Sequence, residues 1–592
     1  VVESRDYSGL PDISKALYRE TYFLPDEDYA GWLHRVTSSY QNDSAHGQRM
    51  SSYISSYWFH PSTPISSNAG TTRGLPISCF TGSVPDTKEG IFDSWTESCW
   101  LGSHGGGVGK DWNQVREMNH KVGQYGGSSS GIIPFMKVDG TLTNAISQGG
   151  IRRFSQADYL IVSHPEIEEF VDIRKPTGDQ GRRAPELHHG VAITDDFMHA
   201  VIHNKPWDLI SPKDGSVIKT VSASELWTRI LEVRTTLKGE PFMLFIDTVN
   251  RLAPPEYISD NISVTTSNLC TEITLRTDDD NTGVCCLGSV NLEYYDEWKD
   301  DPLFLADCQD YLDNVLQSFI DMTEGKPGFA KARNSAIDER SIGLGVMGFH
   351  SLLQKRNLPW ETPMAKGLNN EVFTHIKSSC DSHNIAVNNP CPMAIRTGSR
   401  KRNIHVTAIA PTMSISNLCN LASGGIEPWV TNAFTKKLKQ GSFPVRNKFL
   451  GQVLDNYASS NNLDSTWVAT QWSSVMKNDG SVQHLPYLDQ WTKDVFKTAF
   501  EIDQTWLVDF AGDRSPKIDQ AQSLNLFIPG NSHVQRISDI HILAWKRNVK
   551  SLYYLRSSAV NRGSTESKER KVIASSTESV ESMMSDACIG CA

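Results

Sequence analysis

ELWTRILEVRTTLKGEPFMLFID, residues 225–247, carries the two periodicities that decide the fold class. Its first thirteen residues place apolar side chains at helical spacing. After the Lys238-Gly239-Glu240-Pro241 break, PFMLFID is a short apolar run of strand length. Working outward, IHVTAIA (404–410) reads as a buried strand, and NLFI (525–528) and SLYYL (551–555) as further strands. IGLGVMGFHSLLQ (342–354) reads as a helix. Residues 12–60 look mostly helical, through ISKALYRETYFL and YAGWLHRV. Pro-, Gly- and Ser-rich turns then lead to a strand-like run ending near Cys79. Short apolar strands alternating with helices predict an α/β core with much parallel sheet. No fixed-period repeat interrupts the pattern.

The chain has 592 residues, 39% apolar and 21% charged, which suits a large globular domain with appendages or three domains. No apolar run is long enough to predict a membrane span, and VVESRDYSGL has neither region of a signal peptide. The net charge of -11 argues against a polymeric nucleic-acid partner, though not against small phosphates held by local loops. Eleven cysteines are too sparse, and odd in number, for a disulfide framework. The expected compartment is a reducing cytoplasm, of a cell or of an infected host. Cys99, Cys308, Cys380, Cys391 and Cys419 are scattered and read as structural.

Three features carry chemistry. KSLYYLR places Tyr553 beside Tyr554, a pair that by itself is ordinary strand core. SNLCTEI sets Cys270 between Asn268 and Glu272. If the segment is extended, all three share one face, with a carboxylate base and an orienting amide beside a thiol. The alternative is a buried cysteine with polar capping neighbours. The last 36 residues hold nine serines and no aromatics, predicting a flexible tail, yet they end in Cys588 and Cys591 of CIGC. Half of a zinc site is the competing reading there, but no second CxxC or HxxxH accompanies it.

SNLCTEI followed by VCCLGSVNL resembles the large, catalytic subunit of class I ribonucleotide reductase. The likeness runs in order through TPISSNAGTTRGLPISCF, SQGGIRR, IGLGVMGFH, APTMSIS, GIEPWVTNAF and LYYLR. It implies a ten-stranded α/β barrel over residues 61–556, a short N-terminal helical region over 1–60 and a redox tail over 557–592. Cys270 would be the thiyl radical at the tip of a finger loop, Glu272 the base for the 3′-hydroxyl and Asn268 a ribose contact. Cys79 and Cys285 would be the pair that delivers reducing equivalents and closes into a disulfide. Cys286 is a departure from the family pattern. Cys285 fits by its spacing to SVNL, and Cys286 would point to the opposite face of a strand. Tyr553 and Tyr554 would relay the radical from a partner subunit, with Tyr554 the outer stop. Cys588 and Cys591 would re-reduce the active-site pair. A coil of roughly 30 residues spans about 30 Å, enough to visit a barrel mouth.

For nucleotides, APTMSIS implies a substrate phosphate loop of Pro411, Thr412, Met413, Ser414 and Ile415, helped by Thr63 and by Ser78. Ile415 replaces what is commonly a hydroxyl residue. Asp86 and Arg116 match the family's effector site for dNTPs or ATP. Gln180, Arg182 and Arg183 in RKPTGDQGRRAPELHH match its specificity loop, where ordinary surface arginines are the alternative. Only 78 residues precede Cys79, so no ATP cone is expected. The resemblance further implies ribonucleoside diphosphates as substrates, a homodimer, a metal-containing small (beta) subunit as radical source and thioredoxin or glutaredoxin as reductant. No metal or bound cofactor is expected in this chain.

The nearest alternative is an adenosylcobalamin-dependent reductase, which has no need of the tyrosine pair. A glycyl-radical enzyme would want a C-terminal motif that CIGCA does not offer. A non-catalytic nucleotide-binding homologue would be favoured by loss of Cys270, Glu272, Cys79 or Cys285, and all four are present. A simple dithiol-redox protein leaves most of the chain unexplained.

Overall fold

Five short runs, β1 (Cys79–Ser83), β2 (Gly107–Asp111), β3 (Ser155–Ile161), β4 (His188–Ile193) and β5 (Phe242–Phe245), pair side by side, all parallel. They are buried along nearly their whole length, as strands covered on both faces must be. The computed structural model describes residues 7–123, 126–148 and 152–558. Cys588, Cys591 and the centre of SQGGIRR lie outside the described residues.

A second parallel set begins with β6 (Gly283–Asn291) and β7 (Ile342–Met347). The next stave, 406–410, joins β7 through the parallel bridge Leu344↔Thr407. The stave 520–528 follows through Ile409↔Gln522 and carries β8 (Leu526–Ile528). Last comes the stave 551–557, carrying β9 (Ser551–Leu552) and β10 (Leu555–Ser557), with β10 parallel to β8. The halves meet antiparallel twice, β6 on β1 and β9 on β5. Five staves from each half therefore close one ring, the expected ten-stranded α/β barrel. Two staves are held by single bridges and flanking hydrogen bonds such as Leu344 N to Val406 O at 2.7 Å.

Helices cover the outside. Ala223–Thr236, capped by the Ser222 side chain on Glu225 N, leads into β5. Phe304–Met322 packs against β6 and β7 and buries Cys308, Leu312, Val315, Leu316 and Phe319, each large apolar side chain worth about 1.5–3 kcal/mol. The N-terminal helices Tyr29–Ser38 and Ser44–Ser55 begin at Asp28 and Asp43 caps. They pack on the barrel through Tyr311 Oη to Val36 O at 3.0 Å and the Arg49–Asp307 ion pair. Among the described residues no helix is long and apolar enough to cross a membrane.

Two local expectations change. IGLGVMGFHSLLQ is strand through Met347 and helix only from Phe349 to Lys355, after Gly348 turns at φ +79°. Its apolar run suits either period, and the alternate glycines decide it. A Cβ on Gly343 would meet Cys285 Sγ at 2.8 Å, and one on Gly345 would meet Ala408 O at 2.5 Å. The strand expected to end near Cys79 instead begins there.

Candidate active site

Between β5 and β6 the chain turns inward, and residues 262–275 cross the barrel interior without regular structure. Gly109 on β2 makes the room, since a Cβ there would lie 1.8 Å from Ser267 O. The loop's backbone polar groups are paid off by the walls rather than by a strand partner. Tyr159 Oη on β3 donates to Asn268 O at 2.7 Å, and Ser523 Oγ donates to Cys270 O at 2.6 Å. Ser551 Oγ donates to Thr271 O at 2.8 Å, and Ala521 N to Glu272 O at 2.8 Å.

This corrects the extended reading of SNLCTEI. The tip is a turn, with Thr271 at φ +68°. Asn268, Cys270 and Glu272 are brought together by that turn, all fully buried. Asn268 Oδ1 accepts from Ile273 N at 3.2 Å, which folds the tip back on itself. Ser523 also lies 3.1 Å from Glu272 Oε2, so one hydroxyl steadies both the Cys270 backbone and the carboxylate. The sequence reading missed Ser523. It sits 251 positions from Glu272 in an unremarkable QAQSLNLF, and only barrel closure brings it here.

Tyr553 and Tyr554 occupy the gap between β9 and β10. Tyr553 Oη is 3.3 Å from Cys270 Sγ, and the two tyrosine ring centroids are 4.2 Å apart. Phe242 of β5 contacts both rings, at 4.8 and 5.1 Å. The Arg556 guanidinium lies 4.0 Å over the Tyr554 ring. Burial pushes the Tyr554 phenol pKa well above its ordinary value, so the group stays protonated. Arg234, itself fully buried, donates to Tyr553 O at 2.6 Å and fixes the backbone of the pair.

Cys79 and Cys285 face each other in register across the β1–β6 seam. Directly opposed antiparallel residues have Cα atoms about 4.5–5.5 Å apart, inside the span a disulfide accepts. No disulfide joins them here. Burial raises the Cys285 pKa well above the usual thiol value. Cys286 points the other way, its Sγ 3.1 Å from Leu312 O in the outer core. Cys79, Cys270, Cys285, Tyr553 and Tyr554 share the inner core cluster.

The phosphate-loop candidates form a tight turn. Thr412 has φ +54°, and its Oγ1 accepts from Gly425 N at 2.7 Å. Met413 and Ser414 are half-buried, and Ile415 is buried at the start of the short helix Ile415–Leu418. Thr63 Oγ1 is 3.0 Å from Tyr22 Oη, and Ser78 Oγ is 3.6 Å from Cys79 Sγ.

Asp86 and Arg116 meet directly, Nε to Oδ1 at 2.9 Å, with Lys213 Nζ 3.2 Å from the same carboxylate. Burial works against that carboxylate, but the hydrogen bonds from Arg116 and Lys213 outweigh it and hold its pKa below the usual range. Arg182 is occupied by Glu169 at 2.6 Å and Glu166 at 3.2 Å, while Arg183 Nε donates to Thr177 O. Gln180 is exposed. Among the described residues no three His, Cys, Asp or Glu side chains gather in an arrangement able to hold a metal ion.

A family model described as "Ribonucleotide reductase, barrel domain" matches residues 77–393 and 395–555. A protein of Frog virus 3, provisionally named a ribonucleoside-diphosphate reductase large subunit, is 42% identical over 519 residues, covering 87% of this chain and 88% of that protein. The ribonucleoside-diphosphate reductase large subunit of Invertebrate iridescent virus 3 is 34% identical, covering 93% of this chain and 94% of that one. Among solved structures, the class Id ribonucleotide reductase alpha subunit of Actinobacillus ureae superposes with a TM-score of 0.82. It is 28% identical, with 94% of this chain and 98% of that chain covered.

Proposed function

The chain belongs to the ribonucleotide reductase family, and from that premise we infer that it is the catalytic subunit of a ribonucleoside-diphosphate reductase, converting NDPs to dNDPs by thiyl-radical chemistry. The observation that carries the residue assignment is the 3.3 Å approach of Tyr553 Oη to Cys270 Sγ. At that distance one hydrogen atom passes from sulfur to a tyrosyl oxygen, leaving a thiyl radical and a phenol. The Tyr554 ring, in contact behind Tyr553, supplies the previous step. Its raised pKa opposes losing the proton without the electron, and the cation over its face opposes losing the electron without the proton. Each step of this relay therefore moves the two together.

The Cys270 radical takes the ribose 3′-hydrogen, with Glu272 accepting the 3′-hydroxyl proton and Asn268 holding the sugar. Cys79 and Cys285 then give up two protons and two electrons. The 2′ C–O bond breaks, water leaves, a C–H bond forms, the two sulfurs join, and Cys270 returns a hydrogen atom to C3′ as its radical re-forms. Burial of the tip keeps water from quenching the radical. Thr63, Ser78 and the 411–415 turn take the diphosphate. Asp86 and Arg116 take a dNTP or ATP effector, read to the substrate side by Gln180, Arg182 and Arg183. The tail thiols Cys588 and Cys591 reset the pair with electrons from thioredoxin or glutaredoxin. We assign 1–60 to a helical region, 61–556 to the barrel and 557–592 to the tail. A homodimer meeting a metal-containing small subunit is the working assembly, and that subunit supplies the radical.

CDP reduction with dithiothreitol and an effector tests the reading. Turnover is expected only when the small subunit is present, and turnover with adenosylcobalamin alone would refute it. Tyr553→Phe is expected to abolish turnover while nucleotide binding stays, at a stability cost of only about 1 kcal/mol.

A further inference from the structure

Gln520 is fully buried on the 520–528 stave and touches three other elements. Its Nε2 lies 3.4 Å from Cys285 Sγ on β6 and 3.1 Å from Ile342 O on β7. Its Oε1 accepts from Thr274 N of the finger loop at 3.2 Å. These partners fix which end of the amide is which. Reversal would set N–H against N–H at Thr274 and oxygen against oxygen at Ile342. A donor is thus aimed at the sulfur from a group with no freedom to turn away.

The stave itself is clamped. Lys550 Nζ donates to Ile518 O at 2.9 Å and Asp519 O at 2.8 Å, and Gln520 N donates to Thr407 O at 3.0 Å.

We propose that Gln520 is a further catalytic residue of the reductive half-reaction, an N–H donor that stabilises negative charge on Cys285 sulfur as the Cys79–Cys285 pair passes between dithiol and disulfide. The proposal rests on the reading of that pair given above. When the pair is oxidised, two S–H bonds break and one S–S bond forms, and two protons and two electrons go to the nucleotide. When it is reset, an incoming dithiol is oxidised to its disulfide and returns them. In both directions charge develops on a sulfur that burial has stripped of water, where one fixed donor counts for more than it would in solution. Opposing the burial effect, the Gln520 hydrogen bond pulls the Cys285 pKa down. A donor that bonds the reduced thiol sulfur more strongly than the disulfide sulfur also makes the disulfide easier to reduce. Because the same amide holds Thr274, it also ties the redox pair to the loop that carries Cys270.

The test is a redox titration of the full chain carrying Cys588→Ser and Cys591→Ser, in dithiothreitol buffers, reading the Cys79 and Cys285 peptides by thiol trapping and mass spectrometry. Gln520→Met removes the donor at similar volume and should shift the equilibrium about tenfold toward disulfide, roughly 30 mV for a two-electron couple. Gln520→Glu keeps the acceptor for Thr274 but places a carboxylate at the sulfur, and should shift it further. With the tail intact and the small subunit added, both variants should lower kcat for CDP with KM unchanged, and 3′-hydrogen exchange should be spared. Equal potentials in the native, Met and Glu chains would overturn the proposal. So would loss of the fold in both variants, which would make Gln520 a brace only. The titration needs neither substrate nor partner subunit, so its failure is distinct from failure of the reductase reading.

Discussion

Gly109→Ala tests whether the barrel wall positions Cys270, the proposed radical cysteine. The added methyl would lie 1.8 Å from Ser267 O and 2.8 Å from the Asn268 Cα, and both neighbours are backbone. β2 cannot retreat, because it is paired on both sides, to β1 and β3. The loop must therefore move by more than about 1 Å, since close-packed interiors yield little. That movement pulls on the Tyr159 Oη bond to Asn268 O and lengthens the 3.3 Å path from Tyr553 to Cys270. Overpacking of this kind costs about 1–3 kcal/mol of stability. A misplacement of about 1 Å at reacting atoms costs on the order of 100-fold in rate. CDP reduction with the small subunit present should fall by at least that factor, while the thermal midpoint drops only a few degrees. Gly367→Ala is the control. It lies exposed in the helix Pro363–Ala386 with nothing near its absent Cβ, and should be neutral or slightly stabilising. Native turnover in the Gly109→Ala chain would refute the claim that β2 sets the loop.

Cys286→Ser should leave multiple-turnover CDP reduction intact, because its sulfur faces Leu312 O outside the ring, whereas Cys285→Ser should end it. The reverse pattern would exchange their roles. Replacing Cys588 and Cys591 by Ser should spare turnover driven by dithiothreitol and stop turnover driven by thioredoxin or glutaredoxin, and equal loss with both reductants would contradict the shuttle. Glu427 accepts from Asn525 N at 3.1 Å, and burial raises its pKa from the ordinary 4.5 to about 7. Between those values the folded chain holds a proton that the unfolded chain has lost, so this group's contribution to stability falls as pH rises. Glu427→Gln should therefore gain stability relative to the native chain between pH 5.5 and pH 8 in urea melts. Parallel pH profiles would count against it.

Much of the fold was legible locally. Helix 223–236 and β5 follow from spacing and from the Gly-Glu-Pro break between them. IGLGVMGFH was misread because its apolar run satisfies both periods, and the deciding contacts, Gly343 on Cys285 and Gly345 on Ala408, are non-local. Likewise SNLCTEI carries the right residue types, but its geometry is a turn held by Tyr159, Ser523 and Ser551 rather than an extended face.

By itself, then, the sequence nominated the residues proposed to carry the chemistry. Thiols, a carboxylate, an amide and two phenols declare themselves by type and order, and strand alternation alone separates Cys285 from Cys286. Which of them touch was decided by tertiary structure. The antiparallel seams that close the ring set Cys79 against Cys285 and bring β9 to β5, and the loop threaded inside sets Cys270 under Tyr553. Gly109, Ser523 and Gln520 owe their places to that closure. Hydrogen-bond pairing between distant staves leaves no periodic trace in the residues it joins.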